Sequence, residues 1–185
     1  MPLLLGACAS YVGSARRFSP ERLTAEPGWV KVSGVPFTAQ RAESDCGAAA
    51  IGMVVGYWTG RPSSEIAARL RPAPPRGLKA GRLRELARGA GLAAFLVQGT
   101  LDDLERELDA GRPVLVGLVK LHRRSYLTHY EVVVAWHPRE RVVVTLDPAA
   151  GWRENTVEGF VTEWRAAGWL ALVTSARHSS GRQVP

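Results

Sequence analysis

Cysteine is scarce in this sequence, which has only Cys8 and Cys46 among its 185 residues. Two cysteines in such different surroundings do not make the framework of a disulfide-stabilised domain. The chain also lacks C-x-x-C and H-E-x-x-H patterns, and its four histidines have no zinc-ligand spacing. Because the common zinc motifs are absent, we predict a protein without a metal ion or another cofactor.

Long apolar runs and clustered basic charge are absent as well. No stretch reaches the roughly 18 consecutive apolar residues of a membrane span. The formal net charge is +7, from 24 basic and 17 acidic side chains, but the arginines are scattered and no basic run is interleaved with aromatic residues. We therefore predict no nucleic-acid partner, in a chain long enough for one domain with its own core.

The N-terminus carries a different signal. Leu5-Gly6-Ala7-Cys8 resembles the lipobox of bacterial lipoproteins, in which small residues precede a cysteine that becomes lipidated. The basic region and longer apolar stretch of a complete signal are missing before it. Two interpretations stay open: an exported, periplasmic or membrane-anchored lipoprotein lipidated at Cys8, or a cytoplasmic protein with an incidental cysteine. We expect residues 1–29 to be a targeting or linker segment, 30–176 the folded domain and 177–185 a disordered tail.

Apolar residues at helical spacing dominate the first half of the chain, and valine-rich runs dominate the second half. The predicted helices are Cys46–Trp58, Ser63–Leu70, Leu78–Arg88 and one that Thr100 caps. The predicted strands are Val30–Phe37, Ala93–Val97, Pro113–Lys120, His129–His137, Arg141–Asp147 and Trp169–Ser175. Helices followed by antiparallel strands predict an α+β domain.

Cys46 lies at the start of the most apolar predicted helix, between Asp45 and Gly47. Two interpretations compete: a small buried packing residue, or a nucleophile. A helix N-terminus stabilises a thiolate through its dipole and its free N–H groups, and a glycine leaves space for another backbone beside the sulfur. We expect Asp45 to cap the helix or to bond the backbone, because a carboxylate facing the sulfur would raise the pKa of the thiol.

A nucleophilic thiol needs a base, and the base needs a group that orients it. His129 begins one valine-rich strand and Asp147 ends the next, each nine residues from Pro138 in the predicted turn. In an antiparallel hairpin this spacing predicts that the two face each other, with one ring nitrogen toward the carboxylate and the other toward the sulfur. Gln40 is either an exposed loop residue or, with the Cys46 backbone N–H, a donor to an oxyanion.

Together these residues form the pattern Gln40-x-x-x-x-Asp45-Cys46-Gly47, His129-Tyr130 and Asp147-Pro148. The pattern resembles the bacteriocin-processing peptidases, papain-like cysteine peptidases best known as N-terminal domains of exporters that cleave leader peptides after a double glycine. The resemblance extends from about Val35 to Trp169. It implies a papain-like α+β fold, with an N-terminal helical lobe packed on a C-terminal antiparallel β-sheet lobe.

The resemblance also implies the roles of four residues. Cys46 would be the nucleophile, His129 the general base and acid, Asp147 the orienter of the imidazole and Gln40 a donor to the oxyanion. The family often has a second cysteine where this chain has Ala50, a position outside the triad.

We therefore expect a cysteine endopeptidase that hydrolyses a peptide or protein substrate through a thioester. No transporter segments follow in this sequence, so we expect a stand-alone member of the family. Two alternatives stay open: an acyl or peptidyl transferase on the same fold, and a catalytically silent peptide-binding module. The sequence predicts neither the cleavage specificity nor the oligomeric state.

Overall fold

The computed structural model of the protein describes residues 15–71, 74, 77–122 and 125–177. Within these ranges the chain forms an antiparallel sheet and six α-helices, so the α+β class is confirmed. The helices are α1 (Arg22–Ala25), α2 (Cys46–Thr59), α3 (Ser63–Arg69), α4 (Ala80–Gly89), α5 (Leu101–Asp109) and α6 (Val157–Ala166). The strands are β1 (Arg16–Arg17), β2 (Val30–Lys31), β3 (Leu92–Gln98), β4 (Val114–His122), β5 (Ser125–His137), β6 (Val142–Asp147), β7 (Gly151–Thr156) and β8 (Leu170–Ala176).

The strands follow the order β1-β7-β6-β5-β4-β8-β3, and β2 pairs separately with β5. Sequence patterns predicted the central strands to within a few residues but missed β7, whose sequence GWRENT is mostly polar. The predicted strand over residues 30–37 is too long, because only the two residues of β2 pair with the sheet. Strand β3 lies between α4 and α5 in the sequence, and it joins the sheet beside β8. The helical lobe and the sheet lobe are therefore built from alternating segments of the chain.

Helices cover both faces of the sheet. Neighbouring residues of a strand point to opposite faces, and the cores on the two sides of β5 differ accordingly. Val132 belongs to the core that α2 and α4 form with the sheet. Val133 belongs to the core that contains the apolar residues of α5 and α6. None of the helices in the described part of the chain is both long and apolar enough to cross a lipid bilayer.

Helix α2 is buried along almost its whole length, as its apolar sequence predicts. Its glycines allow the backbone of α3 to approach, because a Cβ atom on Gly52 would lie only 2.7 Å from the carbonyl oxygen of Ser63. The helix ends at Gly60, which has a φ of +69° and donates its N–H to the carbonyl of Gly56. Helix α2 thus packs closely against α3 and ends sharply at Gly60.

The hairpin of β5 and β6 has a different register from the predicted one. Val132 pairs with Leu146, whereas a turn centred on Pro138 would pair it with Val144. The register changes because the turn comprises residues 138–141 and a β-bulge interrupts β5 between Val133 and Ala135. The prediction that positions 129 and 147 face each other directly is therefore wrong. In the observed register, position 147 lies opposite a residue of β5 that is two positions beyond 129. A displacement of two residues keeps both side chains on the same face.

The N-terminal segment, residues 15–33, packs on the sheet instead of forming a linker. Phe18 and Leu23 are buried, β1 pairs with β7, and Val32 is buried against the second core. Arg22 holds the segment through ion pairs with Glu26 and Glu154. The predicted linker over residues 1–29 is therefore too long at its C-terminal end. Residues 1–14 and the predicted tail beyond Arg177 lie outside the described residues.

Candidate active site

Cys46 is the first residue of α2, and a short 3₁₀ turn over Glu43–Asp45 leads into it. The residue is 5% exposed, and it lines a cleft of about 520 Å³ that Leu78, Tyr130 and Leu170 also border. The backbone N–H groups of Tyr130 and Gly47 lie near the sulfur and help to lower the pKa of the thiol. Cys46 is therefore both buried and at the mouth of a helix, so it combines the two interpretations that the sequence left open.

The imidazole of His129 joins the sulfur to a carboxylate. Nε2 of His129 lies 2.7 Å from Oδ1 of Asp147, and both residues are 1% exposed. The same carboxylate oxygen accepts the backbone N–H of Ala149 at 2.8 Å. The imidazole also hydrogen-bonds the side chain of Cys46. Because Nε2 is engaged by the carboxylate, Nδ1 is the nitrogen left for the sulfur.

The pKa values of these three groups are shifted in the directions that favour an ion pair. Burial raises the pKa of the Cys46 thiol, but hydrogen bonding and the charge of His129 outweigh it and hold that pKa below its ordinary value. Burial lowers the pKa of His129, but Asp147 and Cys46 outweigh it and raise the pKa to about 10. Burial also opposes ionisation of Asp147, but His129 keeps its pKa low. All three shifts act in the direction of a thiolate beside an imidazolium.

Gln40 lies on the loop before α2, and its backbone N–H donates to the carbonyl of Pro148 at 2.9 Å. This bond ties the loop to the residue directly after Asp147. Its side-chain Oε1 is buried and has no hydrogen-bond partner among the described residues. Gln40 is therefore a half-buried residue attached to the site, in contrast to the alternative of an exposed loop glutamine.

Asp45 does not cap α2 with its side chain, contrary to the expectation from sequence. Its carboxylate Oδ2 instead lies 3.2 Å from Nε of Arg71, and both side chains are largely buried. Nη2 of Arg71 donates to the carbonyl of Ala39 at 3.1 Å. Arg71 thus joins the residue before Gln40 to the residue before Cys46. The sequence offers no signal for this contact, because Arg71 begins a proline-rich loop far from both partners.

A buried cluster of charges lies behind the imidazole, and sequence reasoning missed it. Nζ of Lys120 is 2.9 Å from Oε1 of Glu131 and 2.7 Å from Oε2 of Glu163, and all three side chains are at most 7% exposed. Oγ1 of Thr145 donates to Oε2 of Glu131 at 2.5 Å. The signal that could have revealed the cluster is a charged residue within each of two valine-rich strands, Lys120 in β4 and Glu131 in β5.

Donor atoms of His129, Glu131 and Asp147 lie within 4.8 Å of one another, and by residue type this trio could hold a divalent cation. Each of the three is engaged with other groups of the protein. His129 and Asp147 bond each other, and Glu131 has the ammonium of Lys120 at ion-pair distance. The ammonium of Lys120 thus already places a positive charge beside this trio.

The structure brings three of the predicted site residues, Cys46, His129 and Asp147, into one connected group. The fourth, Gln40, is attached to this group through Pro148. The predicted lipidation site at Cys8 lies outside the described residues.

Comparison with known proteins gives matches over the folded part of the chain. The model of the peptidase C39 family matches residues 34–178. No curated protein matches the sequence. The peptidase domain of Streptococcus ComA, a bifunctional ABC transporter, superposes with a TM-score of 0.63 at 21% identity, over 78% of this chain and all of that domain.

Two further structures are similar. A C39-like peptidase from Bacillus anthracis has a TM-score of 0.63 at 17% identity, over 80% of this chain and 98% of the other. A double-glycine-motif protease from an AMS/PCAT transporter, solved with its leader peptide, has a TM-score of 0.61 at 19% identity, over 80% and 95% of the two chains. At these identities the structural likeness shows the fold.

Proposed function

Since the chain belongs to the peptidase C39 family of cysteine peptidases, we propose that it hydrolyses peptide bonds through Cys46, His129 and Asp147. One observation carries the assignment of residues: the sulfur, the imidazole and the carboxylate form one hydrogen-bonded chain at the N-terminus of a buried helix, on the wall of a cleft. This arrangement is the nucleophile, base and orienting group that acyl transfer requires.

The reaction begins with the thiolate of Cys46 attacking the carbonyl carbon of the peptide bond. As the C–S bond forms, the carbonyl π electrons move onto oxygen, and the backbone N–H of Cys46 and the amide of Gln40 stabilise the oxyanion. When the oxyanion collapses, the C–N bond breaks and the imidazolium of His129 gives its proton to the departing amine. Asp147 holds the ring by its Nε2, so that Nδ1 stays directed at the reacting atoms.

Hydrolysis of the thioester completes the cycle. Neutral His129 takes a proton from water, the hydroxide adds to the thioester carbon, and collapse of the second oxyanion breaks the C–S bond. The products are the carboxylic acid and the thiolate, and the imidazole is again an imidazolium. The same thioester could pass to an amine instead of water. Added amine acceptors therefore distinguish the peptidase from a transferase.

Gly47 leaves space for side chains of the protein itself, because a Cβ atom on Gly47 would lie 3.3 Å from both Leu78 Cβ and Tyr130 Cδ2. The space that the sequence predicts for another backbone at this position is therefore occupied by two side chains that border the cleft. The transporter protease named above is a double-glycine-motif protease whose structure contains the leader peptide. We therefore include leader-type peptides among the proposed substrates.

The test uses the purified full chain with two peptides that differ only in carrying Gly-Gly or Leu-Leu before one bond, and mass spectrometry reads the products. Cleavage after Gly-Gly and none after Leu-Leu is the expected result. Cys46→Ala should abolish cleavage, and Cys8→Ala, the same change at the other cysteine, should leave the rate unchanged. Cleavage that persists in Cys46→Ala would exclude the proposed nucleophile.

Membrane anchoring through Cys8 is a separate proposal, supported by the Leu5–Cys8 sequence alone. The chain would then be an exported lipoprotein. Detergent phase partition of the wild type and of Cys8→Ser, with mass spectrometry of the N-terminal peptide, tests it. An unmodified Cys8 in protein extracted from the native membrane fraction would refute anchoring.

A further inference from the structure

Two carboxylates lie side by side behind the imidazole. Glu131 follows His129 by two residues on β5, so the two side chains leave the strand on the same side. A carboxylate oxygen of Glu131 and one of Asp147 are within 4.8 Å of each other and of a ring nitrogen of His129. Both carboxylates are at most 1% exposed. Water therefore does little to screen their mutual repulsion.

Two buried carboxylates at this separation do not both stay ionised unless a cation balances them, because like charges raise the pKa of one partner. Lys120 provides that cation at 2.9 Å from Glu131. Burial lowers the pKa of Lys120, but the charges of Glu131 and Glu163 outweigh it and raise the pKa well above its usual value, so the side chain stays an ammonium. The charge of Lys120 also lowers the pKa of Asp147.

Glu163 takes the remaining position beside the ammonium. Its pKa is raised, mainly by burial, and the nearby negative charge of Glu131 adds to the shift. The titratable groups that face the cluster in the described part of the chain are Lys120 from β4, His129 and Glu131 from β5, Asp147 from β6 and Glu163 from α6, with Cys46 of α2 on the far side of the imidazole. The ammonium of Lys120 therefore lies between two carboxylates, at 2.9 Å from Glu131 and 2.7 Å from Glu163.

Stability is a poor explanation for these buried charges. Replacement of a buried ion pair by apolar residues of similar volume is often neutral or stabilising, and β4 and β5 are otherwise rich in valine and leucine at these positions. A charged pair directly behind the His129–Asp147 bond is therefore better explained by its effect on that bond than by stability.

We propose that Lys120 is a positioning residue of the peptidase reaction, which balances the charge of Glu131 so that Asp147 remains the carboxylate that orients His129. The inference rests on the proposed function of the Cys46–His129–Asp147 group. Without the ammonium, Glu131 would be an uncompensated anion beside the imidazole. One of the two carboxylates would then take up a proton more readily, and the hydrogen bond between Asp147 and the ring of His129 would weaken.

The experiment compares Lys120→Met, Glu131→Gln and the double variant in the full chain. The measurements are the pH dependence of kcat/KM and of Cys46 alkylation. In Lys120→Met, which loses the positive charge, the acid limb of both profiles should move to higher pH by about 0.5 to 1.5 units. In Glu131→Gln, which loses the negative charge, it should move to lower pH. The double variant should return the limb close to that of the wild type and recover most of the rate.

The matched control is Arg165→Met, which removes an exposed positive charge from α6, the helix that carries Glu163. Its acid limb should not move. If Lys120→Met does not fold, Glu131→Gln and the double variant still decide. The proposal would be overturned if the acid limb of Glu131→Gln did not move. It would also be overturned if the single and double variants lost rate equally and in proportion to their loss of melting temperature.

The alkylation profile separates this proposal from the proposed function. Alkylation reports the charge state of Cys46 whether or not any peptide is cleaved. If the protein cleaves no peptide but the two single variants shift the alkylation profile in opposite directions, the charge coupling is supported and the peptidase assignment is refuted. If the protein cleaves peptides but the profiles do not shift, only the proposed role of Lys120 is refuted.

Discussion

Alkylation of Cys46 offers the most direct test of the ion pair. The imidazole of His129 lowers the pKa of the thiol, and the thiol in turn helps raise the pKa of His129 to about 10. Between these two pKa values the pair is thiolate and imidazolium. The pair is lost at low pH when the sulfur takes a proton, and at high pH when His129 releases one. His129→Ala removes the imidazole and leaves Cys46 in its buried position.

The size of the effect follows from the thiolate fraction. A thiol with an ordinary pKa of about 8.5 is about 0.3% thiolate at pH 6 and about 24% at pH 8, so its alkylation rate rises roughly 80-fold. In His129→Ala the burial that raises the pKa of Cys46 is no longer opposed, so the rise should approach the limit of about 100-fold. In the wild type His129 lowers the pKa of Cys46, so a larger fraction of the sulfur is thiolate at pH 6 and the rate should rise less steeply than for a free thiol.

The assay follows iodoacetamide labelling by mass spectrometry of the peptide that contains Cys46. Both proteins carry Cys8→Ser, so that the other thiol does not consume reagent. The urea-unfolded chain serves as the reference for a free thiol. If wild-type labelling between pH 6 and pH 8 rises as steeply as in the unfolded chain, no ion pair forms at neutral pH and the reasoning fails.

Three further variants probe the groups around the sulfur. Asp147→Asn should lower kcat by about 10³- to 10⁴-fold, because an amide no longer selects the productive tautomer; a near wild-type kcat would contradict its role. Gln40→Ala should lower kcat by about 10²- to 10³-fold with little change in KM, as expected for loss of one oxyanion donor; an unchanged kcat would remove it from the mechanism. Arg71→Met should leave the Asp45 carboxylate buried and unpaired one residue before Cys46, and lower kcat/KM by about tenfold or more. Arg69→Met, at an exposed position of α3, is its control, and equal rates in the two would deny Arg71 a role.

The sequence predicted the parts of the site that depend on local structure. Cys46 begins α2 as its apolar pattern indicates, and Thr100 caps α5 with a capping box. His129 and Asp147 meet although the predicted register was wrong. The observed register differs from the predicted one by two residues. Because side chains of a strand alternate between the two faces with a period of two, both residues still lie on the same face of the hairpin. A displacement of one residue would have separated them.

The parts that the sequence did not predict depend on contacts between distant segments. β7 has few apolar residues, and it is a strand because β6 and β1 pair with its two edges. The ion pairs of Lys120 unite β4, β5 and α6, and a pattern read along one strand cannot show which charge will be its partner. The contact between Arg71 and Asp45 is equally non-local.

The N-terminal segment matters for anyone who wishes to express a shorter chain. Similarity to the family begins at residue 34, yet Phe18, Leu23 and Val32 are buried before that point. Burial of such side chains contributes about 1.5 to 3 kcal/mol each, so together they approach the entire net stability of an ordinary domain, about 5 to 15 kcal/mol. A recombinant version trimmed to the family boundary would also lose β1 and leave the edge of β7 that faces it unpaired and open to other molecules. We expect such a trimmed version to aggregate, and one that begins before residue 15 to stay in solution.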